Sequence, residues 1–482
     1  MIEEIEDPWH SRPIDVHRWS DHPEVVQFVD KVWDEYLPQE VVGKPGPKPK
    51  MAFRKQLRVL ILDLYVAWLE DPELSIGVSM SVNAWKTNSR YNALHLSKKL
   101  VPIINAVKDA GLIVMAKGSY TAPGSKGNRT TRIRASKTLQ GWFANAKFER
   151  EAIGQAEGQE VIILKDGNNK QIEYEDTSET NKMREELEAY NSLLRASFVD
   201  IPSQDDPVIS IRDEESPEHR VIRLGGGTPL TRRIFSRNSW EMNGRFYGGW
   251  WQRINEDWRA NIFINDAPTV EVDFQGLHIK MIYALKGEDL VGDPYDLSSN
   301  VFQWISSQQR RSWAKRLVLT ALNAKDKSSA YRAFRDGFPA GDFARTQMDE
   351  ELDWLLNSFL QRAPKLEDYL FSDKGIELMR LDGEITARIH RQFTEKGIPV
   401  LSVHDSYIVE CSHLAEMKEA MVRASEAVVG MPLSISVKLA DMPESVEATD
   451  EAIQEHILGR EVVRSQGYLD RLARFETRKA CG

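Results

Sequence analysis

The spacing of hydrophobic positions changes several times along the 482-residue chain, and each change predicts a different element. A helical period covers residues 22–37. A basic segment rich in proline, residues 43–50, is typical of a stiff linker. A second, strongly periodic helix follows, with an apolar face formed by Leu57, Leu60, Ile61, Leu64, Tyr65 and Trp68. Two helices are therefore predicted in this part of the chain.

A helix followed by two strands is predicted next. The helical period at residues 97–110 holds Pro102 in its first turn, where a proline is tolerated. Gly111 directly after it is typical of the C′ position that ends a helix. The remaining elements are predicted strands at residues 112–116 and 129–135, joined by a polar loop at 118–128.

The rest of the chain alternates between strands and helices. Residues 161–164 and 171–174 predict a hairpin, and residues 178–196 predict a charged helix. Two later apolar runs, at 269–273 and 399–405, each read as a strand that ends in an aspartate. A charged helix or two is expected beyond about residue 445. The pattern predicts an α+β chain.

Composition narrows the class of protein. Hydrophobic residues make up 41% of the chain and charged residues 28%, as in globular proteins. No apolar run approaches the roughly 18 residues that a membrane span requires. The only cysteines, Cys411 and Cys481, form neither a disulfide framework nor a metal-type spacing. We therefore expect no membrane partner and a reducing, cytoplasmic setting.

The net charge of −10 is unevenly distributed. Residues 51–150 hold 16 Lys or Arg against 6 Asp or Glu, so this segment is strongly basic inside an acidic chain. Such a block predicts a local site for a polyanion such as nucleic acid. The alternative is chance clustering of cations on a solvated face.

Two aspartates and a basic helix carry the candidate chemistry. Asp273 and Asp405 each end a predicted strand, and such a pair can hold two Mg²⁺ ions about 3.5–4 Å apart. Between them in sequence, Arg311 and Lys315 lie one helical turn apart and can grip a triphosphate. Together these residues predict template-directed nucleotidyl transfer.

From Thr231 to about Met442 the chain resembles the palm and fingers of one polymerase superfamily. That superfamily unites family A (polymerase I-like) DNA polymerases and bacteriophage-type single-subunit RNA polymerases. The resemblance rests on Asp273 before a helix, on His404-Asp405 at a hairpin turn, and on the Arg311–Lys315 spacing. It implies that Asp273 and Asp405 bind two Mg²⁺ ions, with Mn²⁺ as an alternative.

The same resemblance implies roles for the residues around the incoming nucleotide. Lys315 would contact its β- and γ-phosphates and protonate the pyrophosphate leaving group, and Arg311 would hold the γ-phosphate. His278 stands where the DNA polymerases carry a Glu that excludes the 2′-hydroxyl and the RNA polymerases carry Gly. The remaining nucleotide-binding positions implied by the motifs are Phe274, Leu319 and Asn323; the family places Tyr at the last of these.

Upstream, Asn243-Gly244-Arg245-Phe246-Tyr247 resembles the Gly-Arg-x-Tyr element of the single-subunit RNA polymerases. The resemblance implies that Arg245 and Tyr247, together with His404, contact template and product. Arg232 and Arg233 add positive charge suited to backbone phosphates. Ser406 after Asp405 also matches the RNA polymerases, whereas the DNA polymerases carry Glu there.

The helix–strand–loop–strand pattern at residues 89–136 resembles a winged helix-turn-helix. The resemblance implies that Lys98 and Lys99 begin the recognition helix, which enters the major groove while the wing contacts phosphates. The cations on the wing would be Lys117, Lys126, Arg129, Arg132 and Arg134. The alternative is a winged helix that binds protein.

The sequence thus predicts an N-terminal winged helix joined to a compact right-hand polymerase palm and fingers. We expect a compact family A-like DNA polymerase that replicates or primes a mobile element, phage or plasmid. Its partners would be a DNA template and primer and dNTPs, with NTPs as an alternative. The other hypotheses are an RNA polymerase or primase and a non-catalytic replication initiator with a degenerate palm. The expected segments are residues 1–50 (helical arm and linker), 51–150 (winged helix), 151–228 (connector), 229–445 (palm and fingers) and 446–482 (charged helical tail).

Overall fold

The computed structural model describes residues 3–37, 49–121, 127–212, 219–225, 230–297, 300–439 and 449–481. The chain divides into two compact units. The first comprises Met1–Glu160 and Asp206–Thr228, and the second comprises Val161–Asp205 and Pro229–Gly482. Both mix helices with strands, which confirms the α+β class. No helix within the described ranges is long and apolar enough to span a membrane.

The first unit is built on a four-stranded sheet with the order β1-β3-β5-β4. Its helices are α1 (Pro23–Tyr36), α2 (Pro49–Glu70), α3 (Leu100–Asp109) and α4 (Lys137–Ala144). Strands are numbered along the whole chain, and β7 and β8 belong to the second unit. The strands of the first unit are β1 (Ser11–Pro13), β2 (Arg18–Trp19), β3 (Ser75–Val78), β4 (Ile113–Ala116), β5 (Thr131–Ala135), β6 (Gly154–Gln155), β9 (Val208–Arg212) and β10 (His219–Arg223).

Helix α2 forms the centre of the first unit. The predicted apolar face is buried except at Trp68, which is half-buried, and Val59, Leu62 and Val66 on the other side of the helix are buried as well. A helix that is hydrophobic all round lies inside a core rather than on its surface. The predicted helix is therefore confirmed, and its burial extends beyond the apolar face that the period identified.

The predicted helix and hairpin at residues 97–135 are confirmed as α3, β4 and β5. Pro102 lies in the first turn of α3, and Gly111 follows its end with a φ of +73°. Strands β4 and β5 pair antiparallel, and a further bridge joins Ser119 to Arg129. Lys126, expected on the wing, lies outside the described residues.

The second unit contains ten α-helices and nine strands within its described residues. The helices are α5 (Ser178–Arg195), α6 (Glu256–Arg259), α7 (Leu277–Leu285), α8 (Ser307–Asn323), α9 (Lys327–Asp336), α10 (Asp349–Arg362), α11 (Gly375–Glu395), α12 (Leu414–Val429), α13 (Asp450–Gly459) and α14 (Gln466–Cys481). The strands are β7 (Ile162–Leu164), β8 (Val199–Asp200), β11 (Arg232–Ser236), β12 (Ser239–Tyr247), β13 (Phe263–Ile264), β14 (Ala267–Phe274), β15 (Leu401–Val403), β16 (Ser406–Glu410) and β17 (Ile435–Lys438).

Strand β14 is the central strand of the main sheet in this unit. It pairs antiparallel with β16 along one edge and with β17 along the other, so its backbone groups are satisfied on both sides. Side chains alternate along a strand. Val270, Val272 and Phe274 are accordingly buried in the core, whereas Glu271 and Asp273 lie together on the opposite face.

Helix α8 also has one buried face and one exposed face. A capping box of Ser306 and Gln309 begins the helix. Trp313, Leu317 and Ala321 are buried against the core that also contains β14, while Lys315 is exposed on the other side. The periodicity of the segment thus decides which of its side chains can meet a ligand.

One predicted element of the second unit did not form as expected. Of the predicted strand at 161–164, residues 162–164 form β7, but this strand pairs in parallel with β11. The segment at 171–174 contributes only a bridge between Lys165 and Gln171 rather than a second strand of a hairpin. The charged helix at 178–196 and the helices of the tail are confirmed as α5, α13 and α14.

Candidate functional site

Two carboxylates meet at one end of the main sheet. Asp273 is the last residue but one of β14, and Asp405 lies in the tight turn between β15 and β16. The turn requires a φ of +56° at His404. The backbone N–H of Phe274 donates to the carbonyl oxygen of Asp405 at 3.2 Å, so the two strand ends are held side by side.

The carboxyl group of Asp273 is electrostatically strained. Burial, and then the neighbouring Asp405, raise the pKa of Asp273 to about 7, although Lys438 opposes this shift. Its Oδ1 atom is buried and has no hydrogen-bond partner. Both the repulsion and the unsatisfied oxygen would be relieved by a bound cation. The pair therefore fits a metal ion.

Glu271, two residues earlier on the same face, is by contrast fully partnered. The guanidinium of Arg259 donates two hydrogen bonds to it, at 2.9 and 3.1 Å, and Ser406 Oγ donates at 2.6 Å. Although burial opposes ionisation, these groups lower the pKa of Glu271. Ser406 is thus committed to the sheet, and Glu271 is not a free metal ligand.

A single cavity of about 1490 Å³ in the second unit opens onto these carboxylates. Ten of the residues singled out from the sequence line it. They are Arg245, Asp273, Phe274, His278, Arg311, Lys315, Leu319, Asn323, His404 and Asp405. The fold therefore gathers residues that are up to 160 positions apart in sequence around one space large enough for a nucleotide.

Helix α8 presents its cations to this cavity. Arg311 forms an ion pair with Asp293, whose other carboxylate oxygen accepts from the backbone N–H of Tyr295 at 2.9 Å. Lys315 is exposed, and its ammonium has no ion-pair partner among the residues that the structure describes. Arg311 would therefore have to leave Asp293 before it could bind an anionic ligand, whereas the ammonium of Lys315 could bind one directly.

A buried acid that the sequence analysis missed lies beneath the cavity. Asp382 of α11 is fully buried and accepts a hydrogen bond from Arg245 Nε. Burial, despite the opposing Arg245 charge, raises the pKa of Asp382 to about 6. The signal in the sequence was an aspartate at a position where the helical period of Leu378, Ile385 and Ile389 calls for an apolar residue.

Arg245 links Asp382 to His278. Its Nη2 lies 3.0 Å from His278 Nε2, and because a guanidinium only donates, the ring must accept there and carry its proton on Nδ1. Burial, and then the positive charge of Arg245, lower the pKa of His278 to about 3. His278 is thus neutral, only 8% exposed, and fixed in one tautomer at the cavity wall.

Three predicted nucleic-acid contacts of the second unit do not line the cavity. Tyr247 packs its ring edge-on against His404, with centroids 5.8 Å apart, and Arg232 lies on β11. Arg233 is only 3% exposed and donates to the Gly244 carbonyl and to Glu384. The expectation that Arg233 contacts phosphates is corrected, because its guanidinium is committed inside the fold.

The predicted cations of the first unit lie in several environments. Lys98 and Lys117 are exposed, whereas Lys99 packs its ammonium 5.0 Å from the ring of Phe53. Lys98 and Lys99 precede α3 rather than form its first turn. The two lysines therefore lie directly before the N-terminus of α3.

The arginines of the predicted wing mostly bind the chain itself. Arg132 donates to the Pro8 carbonyl and to Ser11 Oγ, and Arg129 donates to the Lys117 carbonyl. Arg134 is 5% exposed and ion-paired with Glu73. Its expected phosphate contact is therefore corrected to a structural role, since Arg134 also donates to the Glu4 carbonyl and is covered there by the N-terminal segment.

Metal ligands other than the two aspartates are few. Within the described ranges, no group of three or more His, Cys, Asp or Glu residues is arranged to hold a metal ion. A site built on Asp273 and Asp405 would have to draw its remaining ligands from water or from a bound phosphate, as Mg²⁺ commonly does.

Comparisons with known proteins give little direct help. No family model and no curated protein matches the chain. Among solved structures, it is similar to the polymerase domain of Pol1 from M. smegmatis in complex with DNA primer-template and dNTP, with a TM-score of 0.29 and 10% sequence identity. That alignment covers 88% of this chain and 66% of the other. A TM-score of this size does not establish a shared fold.

Proposed function

We propose that this chain is a template-directed nucleotidyltransferase, and most specifically a compact DNA polymerase. One observation carries the proposal: the same cavity is lined by the carboxylate pair Asp273 and Asp405 and by two cations that can bind phosphate, Arg311 and Lys315. An acidic pair facing a basic helix is what the transfer of a nucleotide from a triphosphate requires.

Asp273 and Asp405 are the residues that would hold the metal ions, with Mg²⁺ preferred and Mn²⁺ as an alternative. The unpartnered Oδ1 of Asp273 and the repulsion between the two carboxylates support this assignment. When bound, such ions stabilise the charge that develops on the attacking and leaving oxygens.

The cations of α8 would act on the triphosphate. Arg311 would exchange its ion pair with Asp293 for the γ-phosphate of the incoming nucleotide. Lys315 would contact the β- and γ-phosphates and donate a proton to the leaving pyrophosphate as the bond between the α-phosphorus and its bridging oxygen breaks. Its exposure inside the cavity supports this role.

The other lining residues would orient the nucleotide and the nucleic acid. Phe274, Leu319 and Asn323 form the wall near the carboxylates and α8, where base and sugar would lie. Arg245, held by the buried Asp382, would contact the template and product together with His404 and with Tyr247, which lies outside the cavity lining but packs against His404. Preorganised groups of this kind favour reaction because they need no rearrangement.

Extension of a labelled primer on a defined DNA template tests the proposal. The full chain should add dNTPs to the 3′-end in the presence of Mg²⁺, and the product should lengthen only as the template dictates. Preferential use of NTPs, or synthesis without primer, would favour the RNA polymerase or primase hypothesis, which Ser406 after His404-Asp405 also suggests. Absence of any incorporation under all these conditions would favour a non-catalytic DNA-binding initiator.

His278 is proposed to decide which sugar enters. A ring at the cavity wall, fixed by Arg245, would crowd the 2′-hydroxyl of an NTP. We expect the wild type to prefer dNTPs, and His278→Ala to lower the dNTP-to-NTP ratio by about tenfold. The measurement is incorporation of each nucleotide in competition. His278→Gln, which keeps a hydrogen-bond acceptor for Arg245, should retain most of the preference; equal ratios in wild type and His278→Ala would contradict gating.

The first unit is proposed to bind duplex DNA through a winged helix. The support is the order of its elements, α3 followed by the β4–β5 hairpin, and the excess of positive charge in residues 51–150. Because Arg134 is buried, the phosphate contacts are assigned to exposed cations, of which Lys98 precedes α3 and Lys117 follows β4. The biological setting proposed with it is replication or priming of a mobile element, phage or plasmid.

Replacing Lys98 and Lys117 together by Ala should weaken duplex binding and flatten its salt dependence. Each lost phosphate contact is expected to reduce the slope of log affinity against log salt by about one. Fluorescence anisotropy with a labelled duplex at several salt concentrations measures this slope. Lys108→Ala, at the far end of α3, changes the charge without touching the proposed surface. An unchanged slope in the double variant would place DNA binding elsewhere.

A further inference from the structure

The second neighbour of β14 brings a cation to the carboxylates. In the register of β14 and β17, Glu271 is paired with Lys438, and Asp273 lies two residues further along the same face. Lys438 Nζ lies 3.4 Å from Asp273 Oδ2 and 3.7 Å from Glu271 Oε1. Strand pairing, rather than a loose surface contact, therefore sets the ammonium beside the carboxylate.

Glu271 does not need this cation. It already accepts two hydrogen bonds from Arg259 and one from Ser406. Asp273 has no comparable set of partners, and its Oδ1 is buried without any. The charge of Lys438 is therefore of most consequence for Asp273, where it offsets the repulsion from Asp405.

We propose that Lys438 is a built-in counter-ion of Asp273, which must leave the carboxylate before a divalent cation can bind there. The proposal rests on the function proposed above, in which Asp273 is a metal ligand. An ammonium next to Oδ2 both occupies that oxygen and repels a second positive charge over a distance of a few ångströms. The metal affinity of the site without substrate should therefore be low.

The geometry also supplies a way for Lys438 to leave. Its side chain is 39% exposed, and it lines the same cavity as Arg311 and Lys315. A flexible four-carbon stem lets the ammonium turn from Asp273 towards the phosphates of an incoming nucleotide. Substrate would thus release the carboxylate at the moment when the metal is needed, and it would couple metal binding to nucleotide binding.

Binding of Mn²⁺ to the full chain without nucleotide tests this inference, with free Mn²⁺ followed by electron paramagnetic resonance. We expect Lys438→Met, which keeps the unbranched aliphatic shape of the side chain but removes its charge, to bind Mn²⁺ about tenfold more tightly than the wild type. Lys438→Arg, which keeps the charge, should resemble the wild type. Lys396→Met is a matched control, because Lys396 pairs with Glu416 and does not line the cavity.

The outcomes separate the inference from the function on which it rests. Equal or weaker Mn²⁺ binding by a folded Lys438→Met, as judged by circular dichroism, would overturn the counter-ion role. So would a result in which this variant only raises the KM for dNTPs, since Lys438 would then be a phosphate ligand alone. Tighter Mn²⁺ binding by Lys438→Met that disappears in the double variant with Asp273→Asn would support it. Failure of the wild type in primer extension would instead count against the polymerase, whatever the Mn²⁺ result.

Discussion

Replacing Asp273 by Asn is expected to lower nucleotide incorporation by at least about a thousandfold, because it removes the charge of a proposed metal ligand, and stabilisation of the transition state by the metal is worth several kcal/mol. Asp405→Asn should have a comparable effect, since the two carboxylates share one site at the ends of β14 and β15. Single-nucleotide primer extension, measured under single-turnover conditions with excess enzyme, reports the loss directly.

The same variants should remain folded. Burial and Asp405 already disfavour the charged form of Asp273, so a neutral amide of the same shape should not lower the free energy of unfolding. Thermal unfolding and duplex binding should therefore match the wild type. Asp289→Asn, an exposed carboxylate outside the cavity lining, is the matched control and should retain full activity. Substantial incorporation by Asp273→Asn with an unchanged fold would exclude the two-metal assignment.

The parts of this site that the sequence could predict are those set by local pattern. An alternating apolar run ending in Asp273 predicts a strand end, and a period of 3.6 through Trp313 and Leu317 predicts which face of α8 is buried. The same helical period places Lys315 on the exposed face of α8. Such residues are predictable because their direction depends only on the element that carries them.

Partners that come from distant elements could not be predicted in this way. Lys438 reaches Asp273 only because β17 pairs with β14 in one register, and nothing in the local sequence of either strand specifies that register. Asp382 meets Arg245 because Gly383 lets α11 approach β12 closely; a Cβ there would lie 2.1 Å from the Gly244 carbonyl oxygen. Both contacts depend on tertiary packing and not on local sequence.

The arginines that were wrongly assigned to phosphates illustrate a related limit. A cation on a strand faces solvent or core according to its register, and charge alone does not indicate which. Arg233 falls on the buried face of β11 and pairs with Glu384. Arg134 is buried for a different reason, because it pairs with Glu73 and donates to the Glu4 carbonyl of the N-terminal segment. Arg132 is bound by the N-terminal segment at Pro8 and Ser11, more than 100 positions away in sequence. Counting cations therefore overestimates a nucleic-acid surface.

Lys315→Ala is expected to lower the rate of incorporation by about a hundredfold to a thousandfold, the usual cost of removing one group that stabilises charge in a transition state. Lys315 faces the cavity from α8 without an ion-pair partner among the described residues, so no other contact should compensate for its loss. Stopped-flow measurement of the first turnover, over a range of dNTP concentrations, separates the rate of chemistry from nucleotide affinity.

The split between these two quantities decides what Lys315 does. If it protonates the leaving pyrophosphate, kcat should fall more than affinity, and Lys315→Arg, which keeps the charge but is a much weaker acid, should recover nucleotide binding without recovering the rate. If it only neutralises phosphate charge, Arg should restore both. Lys325→Ala, just beyond the end of α8 and outside the cavity lining, should leave both constants unchanged. Wild-type kinetics in Lys315→Ala would mean that Lys315 has no role in the reaction and is only a solvated residue on the helix surface. Arg311 would then be the one cation of α8 left to bind the triphosphate in the proposed site.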